Sequence, residues 1–173
     1  MRAWLRARCG EAVPTLVERL LIELDAAAAR RWPTPGGELH AYRGRLVFAP
    51  AGKAATAKEP VYLDLSRPGL HDVPSWRGAF RVDRVESGGL PVATARLLEL
   101  RARRPGDRFQ AGSGRQPRSL KLQFQAAGVP ARQRGGPIVC SGDAIVYVPG
   151  LGIDARAVAD VGEAQVGLEW LPA

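Results

Sequence analysis

The tightest constraint on the fold is a twelve-residue run near the C-terminal end. Pro137-Ile138-Val139-Cys140 and Ala144-Ile145-Val146-Tyr147-Val148 are two apolar runs joined by Ser141-Gly142-Asp143. Apolar, β-branched-rich runs on either side of a Gly-containing turn form a β-hairpin. The apolar residues are consecutive rather than alternating, as in strands covered on both faces, so the hairpin is expected to be a buried central pair.

Other β signals lie on both sides of it. Residues 38–42 and 45–49, separated by Arg43-Gly44, read as a second hairpin. Strands are expected over 61–65, 79–85, 97–103 and 166–170, with an irregular stretch at 66–75, which holds Pro68, Gly69 and Pro74. Helical spacing is confined to three places. Residues 2–9 read as a helix stopped by Gly10. Another begins at Val13-Pro14, with Leu16, Val17, Leu20, Leu21 and Leu24 on one face. The third covers 119–127, with Ser119 as N-cap and Gly128 and Pro130 at its far end. Leu120 and Phe124 share the burying face of that helix, and Leu122 and Gln123 point elsewhere. Trp32-Pro33-Thr34-Pro35-Gly36-Gly37 reads as a boundary. The sum is an α+β fold: two N-terminal helices, then mixed or antiparallel β structure with one prominent helix near 119–127.

Charge is distributed unevenly. Residues 101–134 hold nine Lys/Arg and one acid, Asp107, an excess of +8, which is the formal net charge of the whole chain. The other residues carry sixteen cations and sixteen anions. A block of this kind repels itself unless something anionic lies against it: nucleic acid, an acidic membrane surface or an acidic protein. Phe109, Leu120, Leu122, Phe124 and Val129 interrupt the block, so it lacks the low hydrophobicity of a disordered tail. Gly112 to Arg118 is a basic loop whose amides, with the start of the 119–127 helix, suit an anion. The residues alone leave open both a grip on phosphates and an ordinary solvated basic surface.

Several classes of chemistry are missing from the sequence. There is no phosphate-binding GxxxxGK[ST] loop and no GxSxG elbow. His40 and His71 lack ligand spacing, so no metal site is expected. Ser87-Gly88-Gly89-Leu90 resembles the opening of an ATP pyrophosphatase loop, but Pro91 and Val92 follow where Asp and Ser would be needed; it reads as a turn. Asp107 among arginines reads as an ion-pair or turn residue, and no catalytic residue is assigned. No stretch approaches the roughly 20 apolar residues of a membrane span, and charges interrupt the apolar core that a secretory signal would need. The two cysteines, Cys9 and Cys140, show no pairing pattern and fit a reducing, cytoplasmic setting.

Six short pieces, in order, carry a family resemblance: Arg104-Pro105-Gly106-Asp107-Arg108-Phe109, Arg118-Ser119-Leu120-Lys121, Gln125-Ala126-Ala127-Gly128-Val129-Pro130, Pro137-Ile138-Val139, Gly142-Asp143 and Val148-Pro149-Gly150-Leu151-Gly152-Ile153. They resemble the C-terminal domain of the tRNA(Ile)-lysidine synthase family. Upstream, Trp4-Leu5-Arg6 and the Val17-to-Leu24 helix resemble the end of the family's central helical domain, and Gly37-Glu38-Leu39 with Tyr42 to Leu46 the strand pair after it.

The resemblance implies three segments: 1–33 closing the helical domain, 34–97 a β-rich connection, and 98–173 a C-terminal tRNA-binding domain. It implies an enzyme that uses ATP and lysine to convert the wobble cytidine of the CAU-anticodon isoleucine tRNA to lysidine, with this portion holding the tRNA near its acceptor stem and lacking the ATP pyrophosphatase domain. The chain is accordingly expected to be a truncated portion. The residues expected to meet tRNA are Arg103, Arg104, Arg108, Arg115, Arg118, Lys121, Arg132 and Arg134. Two positions depart from the family pattern: Leu122 stands where a second lysine is common, and Arg132 where an aromatic is common. A related domain in the β subunit of phenylalanyl-tRNA synthetase shows that the fold alone does not fix the role. A protein-interaction or dimerisation module meeting an acidic partner is the alternative.

Overall fold

The computed structural model describes residues 3, 5–6, 14–24, 30–34, 36–42, 45–50 and 60–172. The chain divides into two compact units, 1–53 and 54–173, where the sequence suggests three segments.

In the first unit, α1 (Pro14–Glu23) opens on its proline and buries Leu16, Val17 and Leu20. Leu21 and Leu24, expected on the same face, are exposed. The helix expected over residues 2–9 lies largely outside the described residues; Ala3, Leu5 and Arg6 are helical, and Leu5 is fully buried. The expected boundary at Trp32 instead contains β1 (Arg30–Thr34), antiparallel to β2 (Gly37–Tyr42), which pairs with β3 (Arg45–Pro50). β1 is an edge strand, where a proline with no amide hydrogen leaves no ladder bond unmade. Fully buried Trp32 joins Leu39, Ala41 and Leu16 and Leu20 of α1, and its indole N–H donates to Glu23 Oε2 at 2.8 Å.

The second unit is built on two antiparallel sheets. The first has strand order β13-β12-β11-β8-β4, made of β4 (Val61–Leu63), β8 (Leu98–Arg101), β11 (Ile138–Ser141), β12 (Ala144–Val148) and β13 (Gly152–Ile153). The expected hairpin is β11–β12, and it is central, with most of its residues buried. The second sheet has order β5-β6-β14-β7: β5 (Gly69–Val73), β6 (Gly78–Val85), β7 (Leu90–Pro91) and β14 (Gln165–Pro172). β5 lies inside the stretch expected to be irregular. Its flanking prolines, Pro68 and Pro74, bound the strand rather than interrupt it.

Leu98, Leu100, Val139, Val146 and Tyr147 from the first sheet pack with Phe80, Val82, Leu90 and Val166 from the second. The Tyr147 hydroxyl accepts the Trp170 amide at 3.0 Å, and Phe80 stacks edge-on to Tyr147. Both sheets draw strands from either side of residue 97, so 60–97 and 98–172 fold as one unit.

The other face of the first sheet carries Ile138, Cys140, Ile145 and Val148. A cap covers it, formed by the two-stranded ribbon β9 (Arg108–Phe109) with β10 (Arg118–Ser119) and by α2 (Leu120–Ala126). Phe109, Leu120 and Phe124 fill that interface. Burying a side chain of this size contributes about 1.5–3 kcal/mol. The cap is the folded form of the basic block: Phe109, Leu120 and Phe124 face the sheet, and most of its cations are left outside.

Candidate nucleic-acid interface

The block begins where β8 ends, at Arg101. Arg104-Pro105-Gly106-Asp107 is a tight turn closed by the Asp107 amide on the Arg104 carbonyl at 3.3 Å. Pro105 and Gly106 occupy its middle positions, and Gly106 at φ 92° has the left-handed backbone that a type II turn reserves for glycine. The turn aims the Asp107 carboxylate back at the strand. Its two oxygens take the Arg101 guanidinium at 2.8 and 3.0 Å, and one also accepts the Arg104 amide at 2.7 Å. The two side chains are only 10% and 9% exposed. Burial pushes the Asp107 carboxyl up, but the bonds from Arg101 and the Arg104 amide more than offset it and hold it below the usual carboxylate range. Asp107 is thus an ion-pair and turn residue, as the sequence suggests.

A second fork lies across the cap. Asp154 is fully buried. Its carboxylate accepts the Gln110 amide at 3.0 Å, the Arg156 amide at 3.0 Å, and the Arg156 guanidinium through Nε at 2.9 Å and Nη2 at 2.7 Å. Burial again raises the carboxyl, and the Arg156 and Gln110 bonds outweigh it, so Asp154 too sits below its ordinary value. Arg156 is a local partner, two residues on, whereas the Gln110 amide that also meets Asp154 comes from 44 residues earlier and leaves no local mark in the sequence.

The helix is placed by a third buried polar group. Gln123, expected to point away from the core, is buried and donates to the Phe109 carbonyl at 2.7 Å. α2 ends as the sequence implies: Gly128, at φ 68°, donates to the Gln125 carbonyl and Val129 to the Phe124 carbonyl, a Schellman closure that needs the left-handed glycine. Its start differs from expectation. Ser119 makes no side-chain cap bond, and the first amide, that of Leu120, is taken by the Asp107 carbonyl at 3.2 Å. The helix start is therefore tied to the Arg104–Asp107 turn.

The expected contact residues fall around this scaffold. Arg103, Arg104, Arg108, Arg115, Arg118 and Lys121 are exposed, and Arg134 is half-buried. Among the described residues none of the seven has a carboxylate within ion-pair reach. Arg108 instead donates to the Pro117 carbonyl at 2.6 Å, bracing the 112–118 loop. The Arg132 side chain lies outside the described residues. Arg103 and Arg134 converge on the Phe124 ring, at 5.7 and 5.3 Å from its centroid. Arg156, which the sequence reading did not single out, joins the face through a 3.4 Å contact from its guanidinium to the Arg108 carbonyl. Leu122 is 52% exposed, so the departure from the family's second lysine lies on the surface. Among the described residues no cluster of His, Cys, Asp and Glu is arranged to hold a metal, and no helix is long and apolar enough to cross a membrane.

Comparison with known proteins converges on one family. Residues 98–170 match the profile of the TilS substrate C-terminal domain. A tRNA(Ile)-lysidine synthase of Ralstonia nicotianae is 33% identical over 186 aligned positions, which cover all of this chain and 40% of that protein. The tRNA(Ile)-lysidine synthase of Burkholderia mallei is 37% identical over 108 positions, 58% of this chain and 22% of the relative. A solved structure, described as the crystal structure of the TilS C-terminal domain, aligns over 66% of this chain and 98% of its own with a TM-score of 0.46 and 24% identity. The chain spans less than half the length of these relatives. Residues 98–170, which hold the basic cap and most of the strands beneath it, are thus a C-terminal domain of the tRNA(Ile)-lysidine synthase family, and a relative of that name is similar along the whole chain.

Proposed function

We propose that this chain docks tRNA for lysidine formation. The cap lays its exposed cations against the phosphates of a tRNA stem, on the acceptor side, and so holds the CAU-anticodon isoleucine tRNA while its wobble cytidine is modified with ATP and lysine. The observation that carries the reading is how charge is disposed on the cap. The acids at its base, Asp107 and Asp154, are both committed to Arg101 and Arg156, and Arg103, Arg104, Arg108, Arg115, Arg118, Lys121 and Arg134 are left without carboxylate partners among the described residues. A surface of that kind suits a polyanion. Phosphate contacts position RNA, and base-paired RNA is recognised mainly by shape and backbone. A rigid basic face with its aromatic rings turned inward meets that requirement. The 173 residues carry no ATP pyrophosphatase loop, so this stretch is given the docking role and not the adenylation step. The setting is cytoplasmic, which suits a chain whose two cysteines show no pairing pattern.

The test is binding of the chain to CAU isoleucine tRNA and to CAU methionine tRNA across a salt series. Docking predicts a log-log slope of about 0.7–0.9 per phosphate neutralised, reduced by roughly two contacts in Arg115→Ala with Arg118→Ala. Preference for the isoleucine tRNA places part of the discrimination on this face. Absence of binding at low salt sinks the RNA reading and leaves an acidic protein partner as the occupant.

A further inference from the structure

We infer that Phe124 is a positioning residue of the docking face, holding Arg103 and Arg134 as one preset guanidinium pair for RNA phosphate; the inference rests on the tRNA-docking reading. Arg103 follows the end of β8, and Arg134 ends the 3-10 turn Ala131–Arg134. The fold brings these distant residues onto a single ring, 5.7 and 5.3 Å from its centroid. The ring itself is only 1% exposed. No base can stack on it, so any part it takes in binding acts through the arginines.

Three physical points support the assignment. The negative face of an aromatic ring attracts a guanidinium and fixes its plane. Arg134 is further fixed by Nε donating to the Val129 carbonyl at 2.9 Å, which ties it to the C-terminal closure of α2. Neither cation has a carboxylate partner among the described residues, so both charges are open to an anion. Guanidinium forks match phosphate geometry, and a fork already held in place loses less freedom on binding. From the sequence, Phe124 reads only as a core residue of the helix. The structure gives its ring a second surface.

The test is a double-mutant cycle on the full 173-residue chain, read as binding to a CAU isoleucine tRNA transcript, with a cooperative thermal melt confirming the fold of each variant. Phe124→Leu keeps an apolar side chain in the core and removes the ring. It is expected to weaken binding roughly three- to tenfold at moderate salt. The loss caused by Arg103→Ala is expected to shrink in the Phe124→Leu background, because the arginine is no longer held. If the two losses multiply independently, Phe124 is a packing residue only and the inference falls. Should Phe124→Leu not fold, Arg103→Lys and Arg134→Lys carry the test: both keep the charge and give up the flat stacking group. Binding equal to the parent chain overturns the inference, and a loss close to that of the alanine variants supports it. If the parent chain shows no salt-dependent binding, the docking reading itself has failed. If the parent binds and the cycle is additive, only the Phe124 assignment has failed.

Discussion

The central strands of the second sheet and the cap over the first sheet both carry arginine, and they dispose of it in opposite ways. On β6 and β14 the charges sit in a ladder: Arg81 lies opposite Glu169, forms an ion pair with it, and is within 3.5 Å of Asp83. These groups are more than half exposed, and the Arg81 charge is met by carboxylates where it stands. In the cap the acids are turned inward. Asp107 and Asp154 each take an arginine fork and at least one backbone amide, and among the described residues neither forms an ion pair with Arg103, Arg104, Arg108, Arg115, Arg118, Lys121 or Arg134. In the ladder, acid and base neutralise a surface. In the cap, the acids hold a scaffold together, and the surface stays positive.

This contrast predicts very different costs for removing a carboxylate. Asp107→Ala leaves Arg101, 10% exposed, with a buried charge and no counter-ion. It is expected to cost about 3–5 kcal/mol, measured by urea denaturation. Glu169→Ala removes one partner of an exposed pair and is expected to cost within about 1 kcal/mol. Equal losses would show that the Arg101 site takes in water and that inward and outward acids do not differ.

Asp154→Asn sharpens the comparison between the two forks. Arg156 is 48% exposed and rehydrates when its partner is neutralised. The remaining loss is weakened bonding to the Gln110 and Arg156 amides, about 1–3 kcal/mol. The same pair sets a pH dependence. Both carboxyls are held below their ordinary value in the folded chain, burial acting against the stronger arginine and amide bonds. Below about pH 4 the unfolded chain therefore takes up protons that the folded chain does not. The stability these groups supply is complete above that pH and is lost as the pH falls through the folded values. Denaturation midpoints recorded from pH 6 down to pH 2.5 should fall less steeply for Asp154→Asn than for the parent. Parallel curves would show that Asp154 titrates alike in both states.

How much of this was legible in the sequence depends on the range of the interaction. The β11–β12 hairpin, the Gly128 helix end and the Arg104–Asp107 turn are set by neighbouring residues, and each stands where local pattern puts it. β1 and β5 were missed because Trp32-Pro33 and Pro68-Gly69 look like loop, and only the sheet shows that they are edge strands or strand limits. The candidate site divides in the same way. The exposed arginines were legible as a charge block. The Gln110 bond to Asp154, the Gln123 bond to Phe109 and the sharing of Phe124 by Arg103 and Arg134 all join residues that only tertiary folding brings together. Leu21 and Leu24 fit the helical period and are still exposed in the first unit, since periodicity names a face without fixing what covers it.

The smallest expected change tests whether the cap is an additive surface. Leu122 is 52% exposed on α2, between Lys121 and the buried Gln123, at the position where the family commonly has a second lysine. Leucine and lysine have nearly equal helix propensity, so Leu122→Lys should leave stability within about 0.5 kcal/mol, read from the melting midpoint. The added charge meets no ion pair at Lys121 or at its nearest basic neighbours, and it raises the positive field where the docking reading places phosphate. Binding to CAU isoleucine tRNA should tighten, and the salt slope should steepen by about 0.7–0.9. A steeper slope without loss of stability would mean that scaffold and surface are independent, with the inward acids setting the first and the outward cations the second. An unchanged slope would place Leu122 outside the RNA footprint and leave the contact to the exposed arginines of the cap.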